Sequence, residues 1–491
     1  MASELLTVSG SELARRIRRG ELSSSQAVDV HIEQVRRVNP ALNALVRDRF
    51  SHARAEARAA DAHLAESRED LPPFFGVPCS IKESFALTGM PQTAGLVSRR
   101  GRLATSDAPA VARLRAAGAI PIGVTNVSEL CMWLESDNAI YGRSRNPYDP
   151  ARIVGGSSGG EGALVSAGGS PFGLGADVGG SIRMPAFFNG VFGHKPSVGL
   201  VPNTGQFPQA LGPAGRLLGT GPICRRAEDL WPLLEVLAGP DGRDPACREM
   251  ALGEPGSVRI DALRVLDVRG DGRHPVSDEL LAAQDRACRA LAARGATIEP
   301  ARFEGLARGF FIWAARMSAN AHSYRQLLGG DGPPVRPVRE LARWALGRSP
   351  HTLPSLGLAL LEQVPLSESM RQGFLEAGRA LGAALGSRLG ERCVMLYPSH
   401  PRPAPRHAEP LLHPFDWIYT GIFNALELPV SQVPLGLGRA GLPLGVQVVG
   451  ADACDHVTVA VALALERDLG GWVPPWEADQ GSPSCGSARR S

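Results

Sequence analysis

Residues 155–185 read GGSSGGEGALVSAGGSPFGLGADVGGSIRMP, and how this stretch is read decides the rest of the chain. Two Gly-Gly-Ser turns fall within it, Gly155-Gly156-Ser157 and Gly179-Gly180-Ser181. Glycine admits backbone conformations that a Cβ forbids and lets the main chain come close to a ligand. Consecutive N–H groups in such a turn can converge on one point and hold a developing negative charge. A serine ending each turn sets a hydroxyl beside those donors. The stretch therefore reads as a serine nucleophile whose oxyanion hole is made by the same loop. GSSGG at 156–160 also fits G-x-S-x-G, the nucleophile elbow, which makes Ser158 the nucleophile and requires an acid and a histidine downstream. His194, His400, His407, His413 and His456 are available, none in a setting that singles it out. No G-K-[ST] follows the glycines, which argues against a phosphate cradle.

The chain around this stretch has 491 residues, of which 44% are hydrophobic and 21% charged, an ordinary composition for a soluble globular protein with a large core. A net charge of +3 gives no basis for nucleic-acid binding. Of 52 Lys plus Arg, only Lys82 and Lys195 are lysines. Only an amine can readily be neutral near pH 7, so a lysine kept in an arginine background is a candidate base. The competing reading is that both lysines are remnants of a codon bias. Eight dispersed cysteines without a CxxC pair disfavour a disulfide scaffold or a zinc site. The N-terminus lacks the apolar core of a signal peptide, and no run of 18 apolar residues occurs. These features point to an intracellular protein, cytoplasmic or peripherally membrane-associated.

Periodicity predicts helices over 9–20, capped by Ser9 or Ser11 and closed by Gly20, and over 24–38, stopped by Asn39-Pro40. A third, solvated helix is expected over 51–68. Val77 to Ile81 reads as a short buried strand that delivers Lys82 at or just beyond its end. A helix over 107–118 and the strand AIPIGVTNV give an α/β alternation. The stretch from 190 to 205 reads as loop-rich. Further expectations are helices over 227–237, 278–294 and 456–469, and strands over 262–268, 296–298, 393–398, 427–436 and 441–450. Residues 305–390, helical and arginine-rich, read as an insertion or cap outside the sheet core. A single domain over 1–478 is expected, followed by a disordered Gly/Ser/Arg tail over 479–491.

Long, ordered segments then identify the chain with a known family. GGSSGGEGALVSAGG, GLGADVGGSIRMPAFFNGVFGHKPS and GVPCSIKES together resemble the amidase signature family, and the resemblance covers nearly the whole chain. TLPSLGLALLE, LYPSHPRPAPRH and FDWIYTGIFNALELPV are most similar to its fatty-acid amide hydrolases, in particular the second vertebrate isoform. The resemblance implies an α/β fold with a central twisted mixed sheet, helices on both faces and a helical cap. It also implies a Ser–Ser–Lys triad, with Ser181 as nucleophile, Ser157 as bridging serine after a cis peptide, and Lys82 as base. The implied oxyanion donors are the N–H groups of Val178, Gly179, Gly180 and Ser181. Cys131 and Met132 fall near the implied acyl-binding passage, with apolar packing as the alternative. Asp177, Arg183 and Ser158 are expected to shape the loop, and Lys195 to be structural. Glu83-Ser84 departs from the Asp-Asn pair common after the lysine, which puts hydrogen bonding there in doubt.

The implied reaction is hydrolysis of a lipophilic acyl amide through an acyl-enzyme, with no cofactor and no metal. An aryl or short-chain amidase and the glutaminase subunit of a tRNA amidotransferase are the alternatives within the family. The segment VRPVRELARWALGR (335–348) sets Arg336, Arg339 and Arg343 near Leu341, Trp344 and Leu346. That pattern is compatible with an anionic lipid surface and equally with a solvated helix. A homodimer is left open by the sequence.

Overall fold

The computed structural model describes residues 2–209, 212–319, 323–364 and 366–478. The tail over 479–491 lies outside them. Eleven strands are formed among the described residues: β1 Leu45–Asp48, β2 Pro78–Lys82, β3 Ile120–Thr125, β4 Phe172–Asp177, β5 Phe192–Lys195, β6 Gly219–Cys224, β7 Arg264–Asp267, β8 Thr297–Pro300, β9 Cys393–Pro398, β10 Val430–Leu437 and β11 Pro443–Val449. They make one sheet in the order β1-β3-β2-β4-β6-β5-β10-β11-β9-β7-β8. β2 runs parallel to β3 and β4, and β7 runs parallel to β8 and β9, while the other pairs are antiparallel. The sheet is mixed, as the family resemblance implies.

Successive side chains on a strand point to opposite faces, and the packing follows that period. Along β9, Val394 and Leu396 join a core with Leu280, Ala287 and Leu291 of helix Asp278–Ala293 and with Val457, Val461 and Leu465 of helix Asp455–Leu469. Met395 and Tyr397 join a second core with Ile312 of helix Gly309–Met317, Leu381 and Leu385 of helix Glu368–Gly386, and Ile422 of helix Ile418–Ala425. Both faces of the sheet are covered by helices, and its inner strands are buried on both sides, while the edge strands β1 and β8 are partly exposed.

The helix expected over 9–20 spans Gly10–Arg19, with Ser9 accepting from the N–H of Glu12 and Gly20 in the left-handed conformation at φ 74°. The next helix does not stop at Asn39-Pro40 but runs from Ser24 to Leu42. Pro40 falls in its last turn, where one missing N–H costs little. The stop comes from Asn43 at φ 49° and from the Asn39 side-chain carbonyl, which accepts from the N–H of Ala44 and of Leu45. The 305–390 stretch is divided in space. Its first and last helices lie in the second core because Ile312, Leu381 and Leu385 face the sheet, whereas Leu328, Leu356 and Ala359 form a separate cluster with Leu96 and Leu130.

Strands β4, β5 and β6 were hidden by their glycines, which read as turns. Within the sheet these glycines make room. A Cβ on Gly173 would collide with the Glu161 carboxylate, and one on Gly221 with the His194 carbonyl oxygen. Gly173→Ala is therefore expected to destabilise the fold by about 1–3 kcal/mol through overpacking. Urea denaturation measures it, and an unchanged midpoint contradicts the close packing of Glu161 against β4.

Candidate active site

Because β2 and β4 are parallel neighbours, their C-terminal ends lie on the same edge of the sheet. Lys82 is the last residue of β2, and the Val178–Ser181 loop leaves the end of β4. The Lys82 side chain is 1% exposed, and its Nζ donates to Ser157 Oγ at 2.7 Å and to the Ala176 carbonyl at 3.3 Å. Among the described residues no carboxylate hydrogen-bonds it. Burial pushes its pKa below the ordinary lysine value, although the Cys131 thiol and the Asp177 and Glu161 carboxyls nearby act in the opposite direction.

Ser157 follows a cis peptide from Gly156. Gly155 adopts φ 79° and its Cβ would stand 2.8 Å from the Pro185 nitrogen, so both the conformation and the space call for glycine. Ser136 Oγ pins the turn, lying 3.0 Å from the Gly155 carbonyl and accepting from the Gly159 N–H at 2.9 Å. The two Gly-Gly-Ser turns are joined directly, as the Ser158 N–H donates to the Ser181 carbonyl at 3.3 Å. Ser181 Oγ forms no hydrogen bond with the described residues, so Lys82 and Ser157 are in contact while the Ser157–Ser181 link is not closed. Catalytic hydrogen bonds often tighten only with substrate bound.

Asp177, at the end of β4, builds the second turn. Its carboxylate accepts from the N–H of Gly180 at 2.6 Å and of Ile182 at 3.1 Å, from Arg183 Nε at 3.0 Å and from Asn424 Nδ2 at 2.9 Å. Arg183 and Asp177 are fully buried, and Arg183 also reaches the Thr420 carbonyl and the Gln447 side chain, both at 2.9 Å. Burial alone would raise the Asp177 pKa, but the Arg183 guanidinium holds the carboxyl well below the usual carboxylate range. Of the four N–H groups expected at the oxyanion, that of Gly180 is thus committed to Asp177. Those of Val178, Gly179 and Ser181 have no acceptor among the described residues.

Ser158 is fully buried and turned onto β4, its Oγ 3.3 Å from the Ala176 carbonyl. Among the described residues none of those five histidines hydrogen-bonds it. His194 is held between Ser431 Oγ and Asp455, both at 2.9 Å, His400 meets the Arg402 carbonyl, and His407 meets Glu135 and the Pro150 carbonyl. The elbow geometry is absent. Lys195 is buried as well, its pKa lowered to about 8 by burial, but its Nζ donates to the Pro196 carbonyl at 2.9 Å and to neither serine. Cys131 lies in a left-handed turn at φ 57°, close enough to act on Lys82 electrostatically, and Met132 packs on the second core together with Val178. Among the described residues no cluster of His, Cys, Asp or Glu is arranged to hold a metal ion.

Sequence reasoning missed one buried acid, Glu161. Glu161 accepts from Ser80 Oγ at 2.5 Å and Thr125 Oγ1 at 2.7 Å, and burial raises its pKa to about 7. Its position as the one acid in the buried helix Gly159–Ser166 was the available signal. Glu83 accepts from the N–H of Thr93 at 2.7 Å and of Ala94 at 2.8 Å and from Tyr141 Oη at 2.9 Å. Its hydrogen bonds are thus satisfied despite the departure at 83–84, whereas Ser84 Oγ is buried without a partner.

The helix within 335–348 spans Pro337–Ala345. Val338 and Leu346 stand about 70% exposed beside Trp344 and the exposed Arg336, Arg339 and Arg343. No helix among the described residues is long and apolar enough to cross a membrane.

A family model described as "Amidase" matches residues 26–459. The chain is 47% identical over 489 residues to human fatty-acid amide hydrolase 2, covering 96% of this chain and 91% of that protein. It is 32% identical to a glutamyl-tRNA(Gln) amidotransferase subunit from Anaeromyxobacter sp. (strain K), covering 97% and 99%. A solved structure of a fatty acid amide hydrolase superposes with a TM-score of 0.76 at 21% identity, over 96% of this chain and 87% of that one, a likeness of fold.

Removing the Asp177 carboxylate leaves Arg183 as an uncompensated buried charge. Asp177→Ala is expected to cost about 3–5 kcal/mol of stability. Chemical denaturation checks this, and a loss below about 1 kcal/mol contradicts the account of the turn.

Proposed function

The chain belongs to the amidase signature family and is an amidase, and we propose that it hydrolyses lipophilic acyl amides through an acyl-enzyme on Ser181. The observation that carries the mechanism is the 2.7 Å bond from a buried, carboxylate-free lysine amine to Ser157 Oγ. A serine hydroxyl is too weakly acidic to attack an amide unaided. Lys82 in its neutral form, which burial favours, takes a proton from Ser157, which takes one from Ser181 as Ser181 Oγ bonds to the substrate carbonyl carbon. The N–H groups of Val178, Gly179 and Ser181 receive the oxyanion; deleting one such donor typically costs about 10²–10³-fold in kcat. Collapse breaks the C–N bond, and the proton on Lys82 returns through Ser157 to the departing amine. Water then attacks the acyl ester by the same relay, releasing the carboxylic acid and restoring Ser181.

Two observations support a lipophilic acyl group. Identity to human fatty-acid amide hydrolase 2 is 47%, against 32% to the amidotransferase protein. Met132, Val178, Phe310 and Trp417 line the second core beside the oxyanion loop, an apolar setting for an acyl chain. The exposed apolar and arginine side chains at 335–348 support contact with an anionic lipid surface.

Lys82→Arg is expected to be nearly as inactive as Lys82→Ala, both losing about 10²–10⁴-fold, because a guanidinium cannot act as a neutral base. Substantial activity in the Arg variant contradicts the relay. A panel of acyl chain lengths on one amine, with glutamine included, should favour long chains and gain rate with anionic vesicles. Preference for short or aryl chains overturns the lipophilic reading, and preference for glutamine supports the amidotransferase one.

A further inference from the structure

The loop that would receive the oxyanion is glycine-rich, and its peptide planes are held from outside. In a planar trans peptide the C=O and the following N–H point in opposite directions, so fixing the carbonyl aims the amide. The Gly179–Gly180 peptide is engaged at both ends, its carbonyl accepting from Thr420 Oγ1 at 2.9 Å and its N–H donating to Asp177. The Val178–Gly179 peptide is engaged at one end only. Its carbonyl accepts from Trp313 Nε1 at 2.8 Å, and the Gly179 N–H on the other side has no acceptor among the described residues.

We infer that Trp313 is a positioning residue, its indole N–H orienting the Val178–Gly179 peptide so that the Gly179 N–H faces the oxyanion. The inference rests on the acyl-enzyme reading above and extends it to a residue of the helical region. Without a Cβ, Gly179 leaves this plane free to turn, so an external hold is needed. The hold is firm. Trp313 lies on helix Gly309–Met317, is 9% exposed, and meets the Trp417 ring edge-on at 4.8 Å. Trp417 in turn stands over Gly179, where a Cβ would be 3.0 Å from its ring. A buried tryptophan N–H commonly finds some acceptor; this one finds the carbonyl whose peptide carries a free donor beside the nucleophile.

The test removes the N–H and keeps an aromatic ring. Trp313→Phe, and replacement of Trp313 by the near-isosteric 3-benzothienylalanine, are compared with wild type in kcat and KM on a long-chain amide. Active sites are counted by fluorophosphonate titration. A trifluoromethyl ketone of the same acyl chain provides a second readout. Ser181 Oγ adds to its carbonyl carbon, the C=O π pair becomes the oxyanion, and the serine proton passes through Ser157 to Lys82. Loss of aim is expected to lower kcat per titrated site about 10–100-fold, below the full cost of deleting a donor. KM should stay within about threefold, and the ketone Ki should rise by the factor that kcat/KM falls. A purely structural role would lower thermal stability and titratable sites without moving kcat per site. If the Phe variant does not fold, the benzothienyl variant decides. Variants with wild-type kcat per site, or a loss confined to KM, overturn the inference while an active wild type leaves the acyl-enzyme reading standing. A wild type inert to both amide and ketone overturns the reading and the inference with it.

Discussion

The contact on which the site depends is between an amine and a hydroxyl, in a place where amines are usually paired with acids. Lys82 ends a strand buried on both faces, and its partner is Ser157. Burial favours the neutral amine, but only if nearby acids do not restore the charge. The two nearby carboxyls are muted. Asp177 is tied to Arg183, so its charge is compensated, and burial pushes Glu161 up to about 7 beside two hydroxyls. Lys195 is the instructive contrast. It too is buried with a lowered pKa, yet its partner is a carbonyl, which can neither give nor take a proton.

Around that contact, the glycines of 155–185 act more by the space they leave than by flexibility. A Cβ at Gly156 would collide with the Trp133 carbonyl oxygen and one at Gly180 with Thr420 Oγ1. Close approach lets Asp177 gather the second turn and Ser136 the first, and it brings helix Ile418–Ala425 against the loop through Thr420 and Asn424. Every residue of the stretch is buried except the half-buried Val178, a close packing that favours preorganised donors.

Local patterns were legible in the sequence. Ser9 and Gly20 bound their helix, Cys393–Pro398 is a strand as read, and a census of lysines leaves Lys82 and Lys195 as the candidate bases. Strands β4, β5 and β6 were not legible, since their glycines serve neighbours elsewhere in the chain: Gly173 makes room for Glu161, and Gly221 for His194. The commitment of the Gly180 N–H to Asp177, and the reach of Trp313 to Val178, depend on turn geometry and on a helix more than a hundred residues away. No local pattern encodes them. Ser158 was ambiguous for the same reason, as only the fold shows it buried against β4.

The central claim is that Lys82 works as a neutral base. The pH dependence of the second-order rate at which a fluorophosphonate labels Ser181 tests it most directly. The account predicts a rate that rises with pH through a pKa below the ordinary lysine value of 10.5, flattens above it, and loses that rise in Lys82→Ala. A rate independent of pH, or the same rise in Lys82→Ala, would contradict it.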